Sequence, residues 1–220
     1  MNPLYLAERS PIQSTSPAYD ALGNGKMFLT NNLSTEQQIA QSALIDLTHL
    51  ARVGFRGADT ATYLNQVGFE LPDLPNTFVI QSDGSIVARL SALEYMLLGS
   101  FKDFGERMAE LERNWRMDQS ANYLLPRQDS HAWIQLTGES IAFVMAKLCA
   151  VDLSAGSFEV GQIAQTSVAR INAIVMNVSD TQAPKFNILC DRASSLYLWN
   201  VLLDAIAEFD GKAIGIQGLL

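Results

Sequence analysis

The chain has 220 residues and a formal net charge of −8, and charged side chains make up 17% of it, against about 25% in ordinary soluble domains. An acidic chain binds phosphate backbones and anionic membrane surfaces poorly, so we expect neither nucleic acid nor a membrane as a partner. The low charged fraction and the slightly positive mean hydropathy exclude disorder for most of the chain and predict apolar surface that neighbouring chains cover.

The sequence pattern predicts neither a membrane span nor secretion. The apolar run at 141–151 is interrupted by Lys147 and is far shorter than the ~20 residues that a span needs. The first ten residues have no basic segment followed by an apolar one, so we expect no secretory signal. Cys149 and Cys190 are therefore predicted to be reduced, buried thiols of a cytoplasmic protein.

Residues 1–40 are predicted to form an extended N-terminal arm, because prolines and small polar residues interrupt any sustained period of 2 or 3.6. Such an arm is either disordered or lies on a partner. Residues 41–100 are predicted to form a first repeat. Its elements are a strand at 47–57, a helix at 60–67, a hairpin whose strands at 77–80 and 86–90 flank Asp83-Gly84, and a strand at 95–98.

Residues 101–120 are predicted to form a charged amphipathic helix that connects the two halves. Four apolar side chains fall on one helical face, and Asp103–Arg107 and Glu112–Arg116 have the spacing of helical ion pairs. Residues 121–220 are predicted to form a second repeat. Its elements are a strand at 131–136, a helix at 139–149, a segment rich in β-branched residues at 162–178, a strand at 185–190 and a helix at 194–209.

The two halves resemble each other. His49 precedes Gly57 much as His131 precedes Gly138, and a predicted helix follows each glycine. At the same offset, 88–90 matches 169–171, and 95–98 then matches 186–189. The sequence therefore predicts an α+β fold in which two ferredoxin-like β-α-β-β-α-β repeats form one body.

Patterns that carry chemistry are absent, so we expect no catalytic, cofactor-binding or metal-ligating residue on this chain. The sequence contains no phosphate-binding loop, no dinucleotide fingerprint, no paired cysteine motif and no zinc-binding histidine motif. The histidines begin matching strands and either line a shared cleft or cap strand ends. The strand arginines either pair internally or reach an anion or a partner. The candidates for a cleft or an interface are His49, Asn76, Arg89, His131 and Arg170.

Several separated blocks between about Leu44 and Gly211 are similar to a known family. The chain resembles the gamma subunit of heterotetrameric sarcosine oxidase in the segments 46–57, 71–77, 88–90, 94–98, 129–133, 147–153 and 165–170. The resemblance implies a fold similar to part of the glycine-cleavage T-protein, an aminomethyltransferase. It also implies alpha, beta and delta subunits as partners.

The resemblance further implies the activity of the whole complex. Such an enzyme oxidatively demethylates sarcosine to glycine, passes the one-carbon unit to tetrahydrofolate or releases formaldehyde, and produces hydrogen peroxide. FAD, FMN, NAD, tetrahydrofolate and zinc would belong to the other subunits. This chain would be a structural subunit that positions them and would not itself be catalytic.

Two alternatives stay open. The chain could be a stand-alone folate-binding protein similar to aminomethyltransferases, with a pocket near Asn76, Arg89 and Arg170. Compared with the T-protein it has no third domain, so a folate pocket built between three domains would be incomplete. The chain could also be a gamma-like subunit of a related oxidase or dehydrogenase that acts on another N-methyl amino acid.

Overall fold

The computed structural model describes residues 10–12, 19–22, 26–29 and 35–219. Within the predicted arm, β1 (Tyr19–Leu22) pairs antiparallel with β2 (Lys26–Leu29), and α1 (Thr35–Gln41) follows. Apart from residues 10–12, the remainder of the predicted arm lies outside the described residues. The chain divides into two compact units. Unit 1 comprises 1–49, 131–160 and 164–220, and unit 2 comprises 50–130 and 161–163.

Unit 2 is built on a five-stranded antiparallel sheet with the order β5-β6-β7-β4-β8. Its core is apolar, with Phe55, Leu64, Leu97 and Met108 nearly or fully buried together. The predicted hairpin around Asp83-Gly84 is confirmed, with Ile80 opposite Ile86. In chain order the elements are β4 (Arg52–Arg56), α2 (Thr60–Gln66), β5 (Thr77–Ile80), β6 (Ile86–Arg89), β7 (Glu94–Leu98), α3 (Glu106–Asn114) and β8 (Tyr123–Pro126).

Unit 1 is built on a six-stranded sheet with the order β10-β11-β12-β9-β3-β13. Side chains of two helices share one core with one face of this sheet, where Val144 and Leu202 are buried with Ile134 and Ile188. The elements are β3 (Ala43–Asp46), β9 (His131–Thr137), α4 (Ile141–Leu148), β10 (Ile163–Val168), β11 (Ile171–Asn177), β12 (Lys185–Asp191), α5 (Ser195–Ala207) and β13 (Lys212–Ala213).

The α+β class is confirmed, and the two units share one order of elements. From β4 and from β9 onward, each unit runs β-α-β-β-β-α-β. In unit 2 the strands β6-β7-β4-β8 have the antiparallel order of a ferredoxin-like sheet, and β5 extends it at one edge. In unit 1 the additional edge strand is β10, and β3 lies between β9 and β13. Each repeat therefore contains more strands than the predicted β-α-β-β-α-β unit.

The repeated glycines have a structural cause. Gly57 (φ +147°) and Gly138 (φ +109°) each follow the first strand of the repeat, in backbone conformations that favour glycine. A Cβ at Gly57 would lie 1.9 Å from the carbonyl oxygen of Ala121, and a Cβ at Gly138 would lie 2.4 Å from that of Gln41. The backbone approaches so closely at both places that no other side chain fits.

The charged helix differs from its predicted form. The observed helix, α3, is shorter than predicted and belongs to unit 2. Along the chain it connects β7 to β8, two strands of the same sheet. The guanidinium of Arg107 does not pair with Asp103 and binds Asp83 at 2.5 Å. Arg116 lies beyond the last helical residue and donates to the carbonyl oxygens of Arg113 and Trp115, both at 2.7 Å. The predicted ion pairs need more helical turns than the segment forms.

Candidate functional site

The two candidate histidines occupy different kinds of position in unit 1. His131 is the first residue of β9, as predicted, and it is half-buried. His49 lies in a turn after β3, so the prediction that it begins a strand is wrong. Its ring is 2% exposed and meets the edge of Phe28 at a centroid distance of 5.6 Å. The burial of His49 among aromatic and apolar side chains gives it a packing role.

Asn76 and Arg89 are brought together by the edge of the unit 2 sheet. The backbone N–H of Asn76 donates to the carbonyl oxygen of Arg89 at 2.7 Å, and the carbonyl oxygen of Asn76 accepts from Ile163 at 2.8 Å. Asn76 has φ +61°, a conformation that asparagine tolerates better than most residues. The backbone of Asn76 therefore joins β5 to β6 and to Ile163, the first residue of β10.

The guanidinium of Arg89 is occupied by backbone carbonyls. It donates to Pro72 (3.3 Å), Asp73 (2.6 Å), Ser91 (3.4 Å) and Ala92 (3.2 Å). Four of the five N–H donors of this guanidinium are therefore used, and a carboxylate could form two parallel hydrogen bonds here only by displacing at least one of them.

Arg170 is the candidate whose surroundings differ most from the prediction. The sequence places it in an apolar strand, but it occupies the two-residue turn between β10 and β11. Ala169 (φ +51°) and Arg170 (φ +69°) both have positive φ, as in the turns that join two hairpin strands most tightly. Arg170 is exposed and belongs to unit 1, whereas Asn76 and Arg89 belong to unit 2. The offset match between Arg89 and Arg170 is thus not a structural equivalence.

Unit 1 contains a cavity of about 340 Å³ with an apolar floor and a carboxylate rim. Asp180 at the rim binds the ammonium of Lys185 at 2.5 Å and accepts from the backbone of Gln182 at 2.9 Å. Burial raises the pKa of Asp180, but these bonds and the charge of Lys185 outweigh it and hold the pKa below its usual value. Asp180 is therefore an ionised turn residue and is poorly suited to carry a proton. The apolar lining includes Ile141, Leu153, Phe158 and Phe186.

A second cavity of about 310 Å³ lies along strands β9 to β12 of unit 1. It is lined by His131, Cys190, Gln165, Thr166 and Asn172, among others. Both cysteines are free and buried, as the sequence predicts. Among the described residues, no three or more His, Cys, Asp or Glu side chains are grouped to hold a metal ion. No helix in the same part of the chain is long and apolar enough to cross a membrane.

One carboxyl with a raised pKa was not singled out by the sequence. Burial raises the pKa of Glu112, and the negative charge of Asp129 raises it further. The sequence pairs Glu112 with Arg116, but that arginine binds carbonyl oxygens instead. Only the fold brings Asp129 close, so no local pattern could have revealed this pair of carboxylates.

Taken together, the two units define an α+β protein with a repeated order of elements. The model of the GCVT N-terminal domain family matches residues 26–219, and the chain belongs to this family. A comparison with curated proteins finds no match.

Two solved structures share the fold. A chain of the heterotetrameric sarcosine oxidase from Corynebacterium sp. U-96, determined with pyrrole 2-carboxylate, is 20% identical, with a TM-score of 0.64 over 81% of this chain and 92% of that one. The glycine cleavage system aminomethyltransferase T from Bartonella henselae is 16% identical, with a TM-score of 0.66 over 98% of this chain. The match spans 59% of the aminomethyltransferase. At these identities the likeness establishes the fold.

Proposed function

We propose that this chain is the non-catalytic, structural gamma subunit of a heterotetrameric flavoenzyme of the sarcosine oxidase type. One observation carries the proposal: the match to a sarcosine oxidase chain takes in nearly the whole of that chain, 92%, and most of this one, 81%. The aminomethyltransferase is much longer than the matched region, since only 59% of it is covered. The matched region thus accounts for nearly all of the oxidase chain and for only part of the aminomethyltransferase, which favours the oxidase subunit.

In this proposal the chain contributes by position and the reaction takes place on its partners. The alpha, beta and delta subunits would hold FAD, FMN, NAD, tetrahydrofolate and zinc, and would convert sarcosine to glycine with release of hydrogen peroxide. The candidate side chains support a structural role, because four of the five N–H donors of Arg89 bind carbonyl oxygens and His49 is buried. The buried free thiols are in keeping with a reducing, cytoplasmic location.

Co-expression tests this function. The four subunits are produced with and without this chain, and assembly is followed by light scattering while hydrogen peroxide release is measured with sarcosine. We expect the complex without this chain to be incompletely assembled and the chain alone to be inactive. An enzyme that lacks the chain and is still fully assembled and fully active would refute the proposal.

A second candidate is a stand-alone folate-binding protein similar to aminomethyltransferases. It is favoured by the aminomethyltransferase match, which covers 98% of this chain. Calorimetric titration of the purified chain with tetrahydrofolate separates the two functions. Saturable heat would favour the second candidate, and no heat is expected for a structural subunit.

The substrate of the complex also needs a test, since a related complex could act on another N-methyl amino acid. The assembled enzyme is assayed with sarcosine and with other N-methyl amino acids under the same conditions. We expect the highest kcat/KM with sarcosine. If the enzyme clearly prefers another N-methyl amino acid, the proposed structural role of this chain would stand, but the complex would be a different oxidase or dehydrogenase.

A further inference from the structure

The turn between β10 and β11 contains two residues that are unfavourable for its backbone. Ala169 and Arg170 have φ of +51° and +69°, where glycine, asparagine and aspartate are preferred over residues with larger side chains. Positive φ at such residues costs free energy and persists where surrounding contacts determine the backbone. A glycine at position 170 would suit the fold better than arginine does.

Contacts within unit 1 hold this turn in place. The N–H of Ala169 donates to the carbonyl oxygen of Leu148, the last residue of α4, at 2.8 Å. The hydroxyl of Tyr197, on α5, donates to the carbonyl oxygen of Ala169 at 3.1 Å. Val168 forms an antiparallel bridge with Cys149. The turn is therefore fixed to the ends of two helices and presents Arg170 from a rigid base.

The guanidinium of Arg170 makes no hydrogen bond or ion pair within the part of the chain that the structure describes, and it is exposed. Each of the other arginines whose side chains are described there has a partner. These are Arg52, Arg56, Arg89, Arg107, Arg113, Arg116, Arg127 and Arg192. A free guanidinium on a rigid turn keeps its full set of donors for a ligand.

Apolar side chains are exposed in the segments that hold this turn. Tyr197, whose hydroxyl reaches the turn, is 50% exposed, and Leu196 beside it in α5 is 37% exposed. Val151, two residues after the Cys149 bridge, is 44% exposed. Tyrosine and arginine are enriched among the residues that dominate binding energy at protein interfaces. The group has the composition of such an interface.

We propose that Arg170, with Tyr197 beside it, is a docking contact that binds a carboxylate of a partner protein chain. The planar guanidinium can form two parallel hydrogen bonds to one carboxylate, and the half-exposed ring of Tyr197, whose hydroxyl reaches the same turn, would supply apolar contact beside that pair. The positive charge selects an acidic side chain over a basic one. This inference rests on the proposed function, because the partner is another subunit of the flavoenzyme.

Substitutions at position 170 separate a binding role from a folding role. Arg170→Asn removes the charge but tolerates positive φ, and Arg170→Lys keeps the charge without the planar fork. Lys212→Asn is the control, since Lys212 is an exposed cation on β13, at the opposite edge of the same sheet. Each full-length variant is co-expressed with the other subunits, and its dissociation from the purified complex is measured at several salt concentrations.

We expect Arg170→Asn to raise the Kd by at least about tenfold and to weaken its salt dependence. Arg170→Lys should lie between Arg170→Asn and the unsubstituted chain, and Lys212→Asn should change the Kd less than about twofold. The Tm of isolated Arg170→Asn should be equal to or above that of the unsubstituted chain. Binding of Arg170→Asn equal to that of the unsubstituted chain would overturn the docking contact alone, and an unsubstituted chain that fails to join the flavoprotein subunits would overturn the proposed function with it.

Discussion

Several arginine side chains in this protein bind backbone carbonyls. Arg52 is fully buried and donates to the carbonyl oxygens of Leu50 (2.8 Å) and Gln128 (3.0 Å). Arg89 binds four carbonyl oxygens in the same way, and Arg116 binds two. Carbonyl oxygens in loops lack sheet or helix partners, and a guanidinium can satisfy several of them at once. These arginines therefore stabilise loops, which argues against using them as ligand-binding residues.

Gly138→Ala should be strongly destabilising. The added Cβ would need a positive φ and would lie 2.4 Å from the backbone carbonyl oxygen of Gln41, which cannot move without disturbing α1. We expect a loss of about 3 kcal/mol in the free energy of unfolding, measured by urea denaturation. Gly156→Ala is the matched control, because nothing lies within 4 Å of its Cβ position, and it should change stability by less than about 0.5 kcal/mol. Equal effects of the two substitutions would contradict this account.

The sequence could predict residues whose role is local. The paired glycines Gly57 and Gly138 stand out in the sequence because a predicted strand precedes and a predicted helix follows each of them, and both have positive φ. The turn at Arg170 could not be predicted, because turn signals rely on glycine or asparagine and neither is present there. Ala169 and Arg170 have positive φ although neither is a residue type that turns favour, so their presence there needs an explanation other than turn propensity.

Asp83 ties the β5–β6 hairpin to α3. Its carboxylate accepts from the backbone N–H of Ser85 at 2.8 Å and binds Arg107 at 2.5 Å, while its carbonyl oxygen accepts from Ser100 at 2.5 Å. The guanidinium of Arg107 also lies 4.0 Å from the centroid of the Phe69 ring. Burial raises the pKa of Asp83, but the bonds from Ser85 and Arg107 outweigh it, so the pKa is lowered overall.

The lowered pKa of Asp83 predicts a pH-dependent contribution to stability. The contribution is complete above the unfolded value of about 4 and is lost as the pH falls through the lower folded value. We expect Asp83→Asn to reduce the free energy of unfolding by about 1 kcal/mol near pH 6, with the difference disappearing in acid. Asp118→Asn is the control, because Asp118 accepts from Ser120 in the same manner without an arginine partner. A difference that stayed constant from pH 6 to acid would exclude this explanation.

Elements with strong local patterns were predicted, and those that depend on distant pairing were not. The turn residues at Asp83-Gly84 predict the hairpin, the apolar run at 95–98 predicts β7, and the strands predicted at 131–136 and 185–190 correspond to β9 and β12. Strand β13 has two residues and exists because Lys212 and Ala213 pair with β3, far away in sequence. Strand β8 likewise forms by pairing with β4. Tertiary pairing, which a single sequence does not reveal, explains the additional strands.

The low charge of the whole molecule corresponds to large apolar side chains left on its surface. They occur on both units and are widely distributed along the chain. The most exposed of them are Met117 (72%), Phe143 (66%), Leu74 (65%), Val160 (61%) and Ile80 (55%). Single exposed apolar residues are ordinary, but so many in a chain with few charges are expected where permanent partners cover the surface.

Replacing three of these side chains should weaken association and leave the fold intact. The triple variant combines Leu74→Ser, Met117→Ser and Val160→Ser. Because all three side chains are exposed, each substitution should change the free energy of unfolding by less than about 0.5 kcal/mol. Sedimentation velocity over a range of concentrations should show self-association of the isolated chain and less of it in the triple variant, because apolar burial drives the contact. The control replaces three exposed polar residues, Gln37→Ser, Asn65→Ser and Gln119→Ser. Two results together would show that this apolar surface has no partner. The isolated chain would be monomeric at every concentration, and the complex would assemble equally well with the triple variant.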